Sequence, residues 1–332
     1  MKADQKSIFL VRFKTLIKGT LPAGLLSLLR GYLARLLDIP YIFQIRREFG
    51  GNSITTDALA VLKTVLSVNK TILFFPNRPT RFSVSYKLCA LLGYSISTNP
   101  KKHFDIAIKR RNATYFERAL LQNIPIQPDR IINANSTDIS KQTVSQVFAD
   151  VFGYNLLVDP TQYHGQVVEK SNANGKHDGR ILQAPIHPAS LRPECVYQKL
   201  IDNSSSATSL VLDYRLPVHG DQIPLVYLKY RPIANRFANR NSHVELAEPD
   251  QLFSQVELDQ LLLMAKKMGI AFGEFDVLRD QDQRLYVVDV NNTPAGPPNG
   301  LPDAQARQAL ALMQKSFDAL LLSFEATPAT DS

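Results

Sequence analysis

The sequence predicts a mixed α/β (α+β) protein, with a small α/β unit ahead of a larger one and a basic helical extension in front of both. Three observations predict it. Strand-like and helix-like apolar periods alternate from Lys70 onward. An acidic two-stranded hairpin, Phe272 to Asn291, lies towards the C-terminal end. Residues 1–50 hold nine Lys/Arg against Asp4, Asp38 and Glu48, a charge of +6 out of +8 for the whole chain. At 332 residues with 45% hydrophobic content, the chain can bury one large core or two to three smaller ones. The units read as an extension over 1–65, a small α/β unit over 66–135, a larger unit over 136–325 and a disordered tail over 326–332.

Composition narrows the function classes. Cys89 and Cys195 offer neither a paired metal-ligand spacing nor a disulfide framework, which fits a reducing, cytoplasmic setting. No run reaches the roughly 18 apolar residues of a membrane-spanning helix. Because the excess charge is confined to the first residues, a nucleic-acid partner is not expected.

Within that basic segment, Leu21, Leu25, Leu28, Leu29, Tyr32, Leu33 and Leu36 recur at helical spacing after Pro22, and Pro40 is expected to end the helix. With Lys14, Lys18, Arg30 and Arg35 around the stripe, residues 10–40 suit either an anionic membrane surface or docking on the protein's own core or a protein partner.

Further along, Thr71 to Phe75 reads as a buried strand, Ser85 to Leu92 as a helix closed by Gly93, and Phe104 to Ile108 and Ile131 to Asn133 as further strands. Asp138 is the expected cap of a helix running to Phe152 and ending at Gly153. Gln166 to Glu169 and Cys195 to Ile201 are strand candidates around the polar stretch Ser171 to Arg180, and Ser204 to Ser206 reads as an exposed turn. Strands follow at Leu210 to Leu216 and Leu225 to Tyr230, then a helix from Val256 to Met268. After the hairpin comes a closing helix from Ala304 to Phe324, whose stripe is Leu310, Leu312, Met313, Phe317, Leu320 and Leu321.

The hairpin carries the most information. If Arg279 faces Arg284 across the polar turn Asp280 to Gln283, then Asp276 faces Val287 and Glu274 faces Asp289. Side chains alternate with period two. Glu274, Asp276, Asp289 and Asn291 then share one side, while Phe275, Val277, Tyr286, Val288 and Val290 share the other. Carboxylates about 5 Å apart across strands repel unless a cation or water intervenes. Mg²⁺, a hard ion that takes carboxylate, amide and phosphate oxygens, would answer that repulsion; a plain solvated polar face is the alternative.

The run Asp276-Val-Leu, a short turn, then Val287-Val-Asp-Val-Asn-Asn-Thr-Pro294 resembles the metal-binding end of the ATP-grasp superfamily, of the glutathione synthetase and ribosomal-protein glutamate ligase type. The resemblance covers about Asn69 to Leu301 and implies an ATP-grasp fold in which two subdomains enclose ATP. It implies that Asp276, Asp289 and Asn291 hold Mg²⁺, although the family more often has Glu where Asp289 stands. Val167 to Gly179 is similar to the family's strand, lysine and phosphate-covering loop, which makes Lys170, Ser171, Gly175 and Gly179 nucleotide contacts, with an ordinary surface turn as the alternative. Lys141 resembles the earlier of the family's two nucleotide lysines, or is a solvated lysine on a capped helix. Cys195 to Asp202 looks like the hinge strand whose main chain reads adenine, implicating Tyr197, Gln198 and, for the ribose, Asp202, which could equally be a surface acid. Arg215 and Arg231 stand where the family places arginines facing the transferred phosphoryl group or the substrate carboxylate. Arg236 and Arg240 read as solvated, and His177 in the loop as a candidate phosphate contact.

The resemblance therefore implies an Mg-dependent ligase that uses ATP to activate a small-molecule or peptide carboxylate as an acylphosphate for attack by an amine. Two other readings stay open on the sequence: an ATP-grasp kinase acting on a sugar or polyol hydroxyl, and a non-catalytic nucleotide-binding module docked on a membrane or partner.

Overall fold

A computed structural model describes residues 38–51, 53–66, 69–205, 208–238 and 240–325. The apolar stripe over Leu21 to Leu36 and the tail after Glu325 lie outside the described residues. Residues 38–49 are helical and Pro40 stands among them, so it does not end a helix as expected.

Helix α1 (Ile54–Leu66) precedes a small sheet of strands β1 (Thr71–Pro76), β2 (Ser95–Ser97), β3 (Ile106–Arg110) and β4 (Ile131–Ile132), with helix α2 (Val84–Leu92) after β1. The strands are parallel, in the order β2-β1-β3-β4. Apolar surface is covered on both faces of such a sheet, which explains why Ile72, Leu73 and Phe74 form an unbroken buried run. Gly93 closes α2 at φ 72, and the N–H of Tyr94 reaches back to the Cys89 carbonyl at 2.8 Å. Arg46 crosses from residues 38–49 to that helix end, donating to the carbonyls of Ala90 at 3.0 Å and Leu91 at 2.6 Å and to buried Asp57 at 3.2 Å. A cation on the last carbonyls of a helix meets both the orphan acceptors and the negative dipole end.

The larger unit opens on helix α3 (Lys141–Phe152). Its cap is Ser140, whose hydroxyl accepts from the Thr143 N–H at 3.3 Å, and not the expected Asp138. Asp138 instead accepts from the Ser140 N–H at 2.7 Å and the Thr143 hydroxyl at 2.5 Å, so it fixes the cap rather than being it. Strands β5 (Gly165–Ser171), β6 (Arg180–Ala184) and β7 (Cys195–Lys199) form an antiparallel sheet in the order β6-β5-β7.

Next come β8 (Ser204–Ser205), β9 (Leu210–His219), β10 (Val226–Pro232), β11 (His243–Ala247), α4 (Gln255–Lys267), β12 (Phe272–Arg279), β13 (Leu285–Asn291) and α5 (Asp303–Glu325). Their strands make a second antiparallel sheet, β11-β10-β9-β12-β13, with β8 on β9. Ser204 and Ser205 thus pair with Val211 and Leu210 instead of forming a free turn, because the flank of β9 offers backbone partners that outweigh a weak local preference.

Two cores flank the larger sheet. One face of the larger sheet packs on α3 and α4 through Leu216, Val218, Phe275, Val277 and Val290. On the other, α5 brings Leu310, Met313, Phe317 and Leu321 against Tyr227 and Phe272 and joins them to the core of the small sheet.

The hairpin register differs from expectation. Asp276 faces Asp289, Glu274 faces Asn291 and Arg279 faces Leu285, with a bulge between Asp276 and Val277. Because Val277 already pairs with Val287, Val288 is the extra residue. The bulge keeps the acidic positions on one side as expected. It turns fully buried Val287 into the core and leaves half-buried Val288 on the acidic side, the reverse of the simple alternation.

Candidate functional site

Alternate positions on the larger sheet converge. Cross-strand pairing sets Arg215 beside Asp276, Asp213 beside Lys229, and Val211 beside Arg231, so these side chains share the face that carries Asp289. Lys170 from β5, Lys141 from the first turn of α3 and the loop Gly175 to Gly179 reach the same place. Together they line a cavity of about 190 Å³ between the three-stranded and the larger sheet.

Its charges are layered. The Arg215 guanidinium grips Asp276 with two hydrogen bonds of 2.9 Å each, and Lys229 Nζ adds a third at 3.2 Å. Burial would raise the Asp276 pKa, but Arg215 and Lys229 outweigh it and hold the carboxyl well below the usual range. The repulsion between the hairpin carboxylates is therefore met in part by the protein's own cations. Asp289 has no such grip. Lys141 Nζ stands 4.0 Å from its Oδ1, that oxygen is sealed from solvent with no hydrogen bond among the described residues, and burial pushes its pKa up against the pull of Lys141 and Lys170. Glu274 Oε2 is likewise without a hydrogen bond, and burial raises this carboxyl to about 7 although Arg215 opposes it at 3.8 Å.

Lys170 donates to the Val288 carbonyl at 3.2 Å, the group exposed by the bulge, and burial lowers its pKa to about 8, with Asp289 pulling the other way. Lys141 donates to the Ala173 carbonyl at 2.9 Å, which ties α3 to the loop. Arg231 pairs with Asp213 and donates to the Ala238 carbonyl at 3.1 Å, while its buried Nε has no hydrogen-bond partner among the described residues. Buried polar atoms are seldom left unpaired, so these oxygens and the Nε are positions that a water or a bound group can complete.

Of the residues singled out in the sequence, Lys141, Lys170, Gly175, Gly179, Gln198, Arg215, Arg231, Asp276 and Asp289 line the cavity, as does His177. Four do not. The Ser171 hydroxyl bonds to Asp178, Tyr197 donates its hydroxyl to Glu169 at 2.8 Å in a separate small core, Asp202 is held by the Ser204 N–H at 3.1 Å, and the Asn291 side-chain oxygen accepts from the Thr293 N–H at 2.9 Å. In the hinge, Gln198 to Ile201 line the wall instead, with the Gln198 amide donating to Ser145 at 3.0 Å. Lys229 was missed, although its spacing of two from Arg231 on one strand places both on one face. Arg236, expected to be solvated, lines the cavity and donates to Asn203 at 2.6 Å.

For a divalent cation the donor set fits a hard ion with oxygen ligands. Asp289 Oδ1 and Glu274 Oε2 accept no hydrogen bond among the described residues, the Asn291 amide oxygen accepts from both the N–H and the hydroxyl of Thr293, at 2.9 and 3.3 Å, and Asp276 has both oxygens committed to cations. No cluster of three or more His, Cys, Asp or Glu among the described residues is arranged as a complete metal site, so a cation here would draw further ligands from a bound phosphate or water.

No family model and no curated protein match the sequence. Solved structures do. The chain is similar to a RimK domain protein ATP-grasp from Sphaerobacter thermophilus DSM 20745, at 13% identity over 76% of this chain and 99% of that one, with a TM-score of 0.47. It is similar at 14% identity to the macrocyclase MdnC from Microcystis aeruginosa MRC, bound with precursor peptide MdnA, over 72% and 98% of the two chains, TM-score 0.42. It is also similar to two complexes of the ATP-grasp ligase PsnB, at 16% identity and TM-scores of 0.35 and 0.38, where it spans only 61% and 64% of their length. Of these structures, PsnB is described as an ATP-grasp ligase, MdnC as a macrocyclase and the Sphaerobacter protein as a RimK domain ATP-grasp protein.

Proposed function

We propose that the chain is an ATP-grasp ligase that spends ATP to join a carboxylate to an amine, releasing ADP and phosphate. The observation that carries this reading is the meeting, in one cavity between two sheets, of Lys141 and Lys170 with Arg215, Lys229 and Arg231 around the carboxylates Asp276 and Asp289. Lys141, Lys170 and the backbone of Gly175 to Gly179 neutralise and cradle the phosphates, and the main chain of Gln198 to Ile201 takes the adenine edge. Asp289, whose Oδ1 accepts no hydrogen bond among the described residues, would hold Mg²⁺, which when bound supplies positive charge to the β- and γ-phosphates.

Arg215 and Arg231 orient the acceptor carboxylate and stabilise the charge that develops as one of its oxygens attacks the γ-phosphorus and the bond to ADP breaks. The acylphosphate is then open to an amine. Nitrogen attacks the acyl carbon, phosphate leaves, and the amine gives up a proton to yield the amide. Positioning and charge stabilisation do most of the work, since the chain has little covalent chemistry to perform.

Incubating the protein with ATP, Mg²⁺ and a metabolite extract, with and without hydroxylamine, and analysing products by mass spectrometry tests the proposal. ADP release with an acyl hydroxamate is the expected result. A phosphoester stable to hydroxylamine would identify a hydroxyl kinase and overturn the ligase reading.

A further inference from the structure

A second cavity, of about 610 Å³, opens on the other side of the same cations. Arg215, Lys229 and Arg231 line both spaces, so they stand at the junction through which the nucleotide side and this one communicate. Lys87 from α2 and Arg240 complete a wall of five cations, and no Asp or Glu lines it. Asp276 and Asp213 engage the three shared cations from the nucleotide side. The outer two have no such partner. Lys87 donates to the Gly296 carbonyl at 2.7 Å, lies over the Phe49 ring at 5.9 Å and feels the charge of Glu48, but forms no salt bridge among the described residues; Arg240 is exposed and has neither hydrogen bond nor ion pair among them. Arg231, with only 9% of its side chain exposed, adds the buried unpartnered Nε. Five like charges gathered in a concave wall repel one another where no carboxylate lines it, and an anion relieves that cost.

We propose, resting on the ligase reading above, that the acceptor carries a second anionic group besides the carboxylate that is activated, and that Lys87 and Arg240 bind it. The reactive carboxylate then lies at the junction formed by Arg215 and Arg231, and the second anion holds the acceptor in register at the outer end. A cationic acceptor is excluded from this wall by the same charges.

Titration calorimetry on the full chain tests this with small probes, each a C-terminal amide so that only side chains are acidic: acetyl-Glu-Glu, acetyl-Gln-Glu and acetyl-phosphoSer-Glu, each with Mg²⁺ and a non-hydrolysable ATP analogue. The doubly acidic probe should bind about tenfold or more tightly than acetyl-Gln-Glu. Arg240→Ala should erase that contrast and Arg240→Lys should restore most of it. The phosphoserine probe distinguishes a phosphate from a carboxylate as the second anion, according to which of the two acidic probes binds more tightly. Equal binding of all three probes, or a contrast unchanged in Arg240→Ala, would overturn the proposal. Binding of the analogue alone is read in a separate titration, so failure of the nucleotide site is distinguishable from failure of the anion subsite.

Discussion

Asp276 and Asp289 face each other across two strands, yet their surroundings treat them oppositely: one is gripped by Arg215 and Lys229, the other keeps a bare buried oxygen. A carboxylate already neutralised serves the architecture, whereas an orphan one invites a cation. Asp289→Asn, which keeps the shape and removes the charge, is therefore expected to cut ADP formation about 10²- to 10³-fold while leaving the melting temperature within about 3 °C, as paired kinetic and calorimetric measurements can check. Lys170 gives a pH signature. Its pKa is lowered from 10.5 to about 8 by burial, so it is charged below that pH and loses its proton as pH rises through it. Affinity for an ATP analogue should accordingly fall between about pH 7 and 9, and Lys170→Arg, which stays charged throughout, should flatten that fall.

At the scale of elements, alternation along the strands was readable and the bulge was not. The period-two pattern was enough to put Glu274, Asp276, Asp289 and Asn291 on one side, but the run Tyr286-Val287-Val288 contains nothing to say which valine is extra. Similarly, Ser140 and Asp138 are both good caps, and only the path of the chain decides between them. Tyr197 and Gln198 are neighbours on opposite faces, so knowing the strand did not reveal which one meets the cavity. Lys229 was legible from its spacing and passed over. The helix that closes the fold brings a separate test. His219 on β9 is fully buried, 2.7 Å from Ser316 of α5, and burial lowers its pKa from 6.5 to about 3. The unfolded chain binds a proton that the folded one refuses across that window, so stability falls as pH drops from about 6.5 towards 3, by up to about 1.4 kcal/mol per pH unit. Urea unfolding at several pH values should show His219→Gln to be less acid-sensitive than the parent.

Across the whole molecule, the site depends on residues that lie far apart in sequence, from Lys141 to Asp289, and local pattern does not reveal how two sheets close on them. Asn133 is one of the ties. At the end of β4, with φ 65, its side chain accepts from the N–H groups of Ala271 at 2.8 Å and Phe272 at 2.9 Å and donates to the Phe272 carbonyl at 2.7 Å, which clamps the small sheet to the start of β12. Asn133→Ala leaves those buried groups unpaired at a backbone angle that alanine disfavours, and should cost about 3 kcal/mol in a denaturant titration. Turnover by this route requires one nucleotide to meet groups from both sheets. Titrating a non-hydrolysable ATP analogue with Mg²⁺ into the parent protein and into Lys170→Ala tests that most directly. Saturable binding that weakens about tenfold or more in the variant and on removal of Mg²⁺ is the predicted result; no binding to the parent, or binding indifferent to both changes, would contradict it.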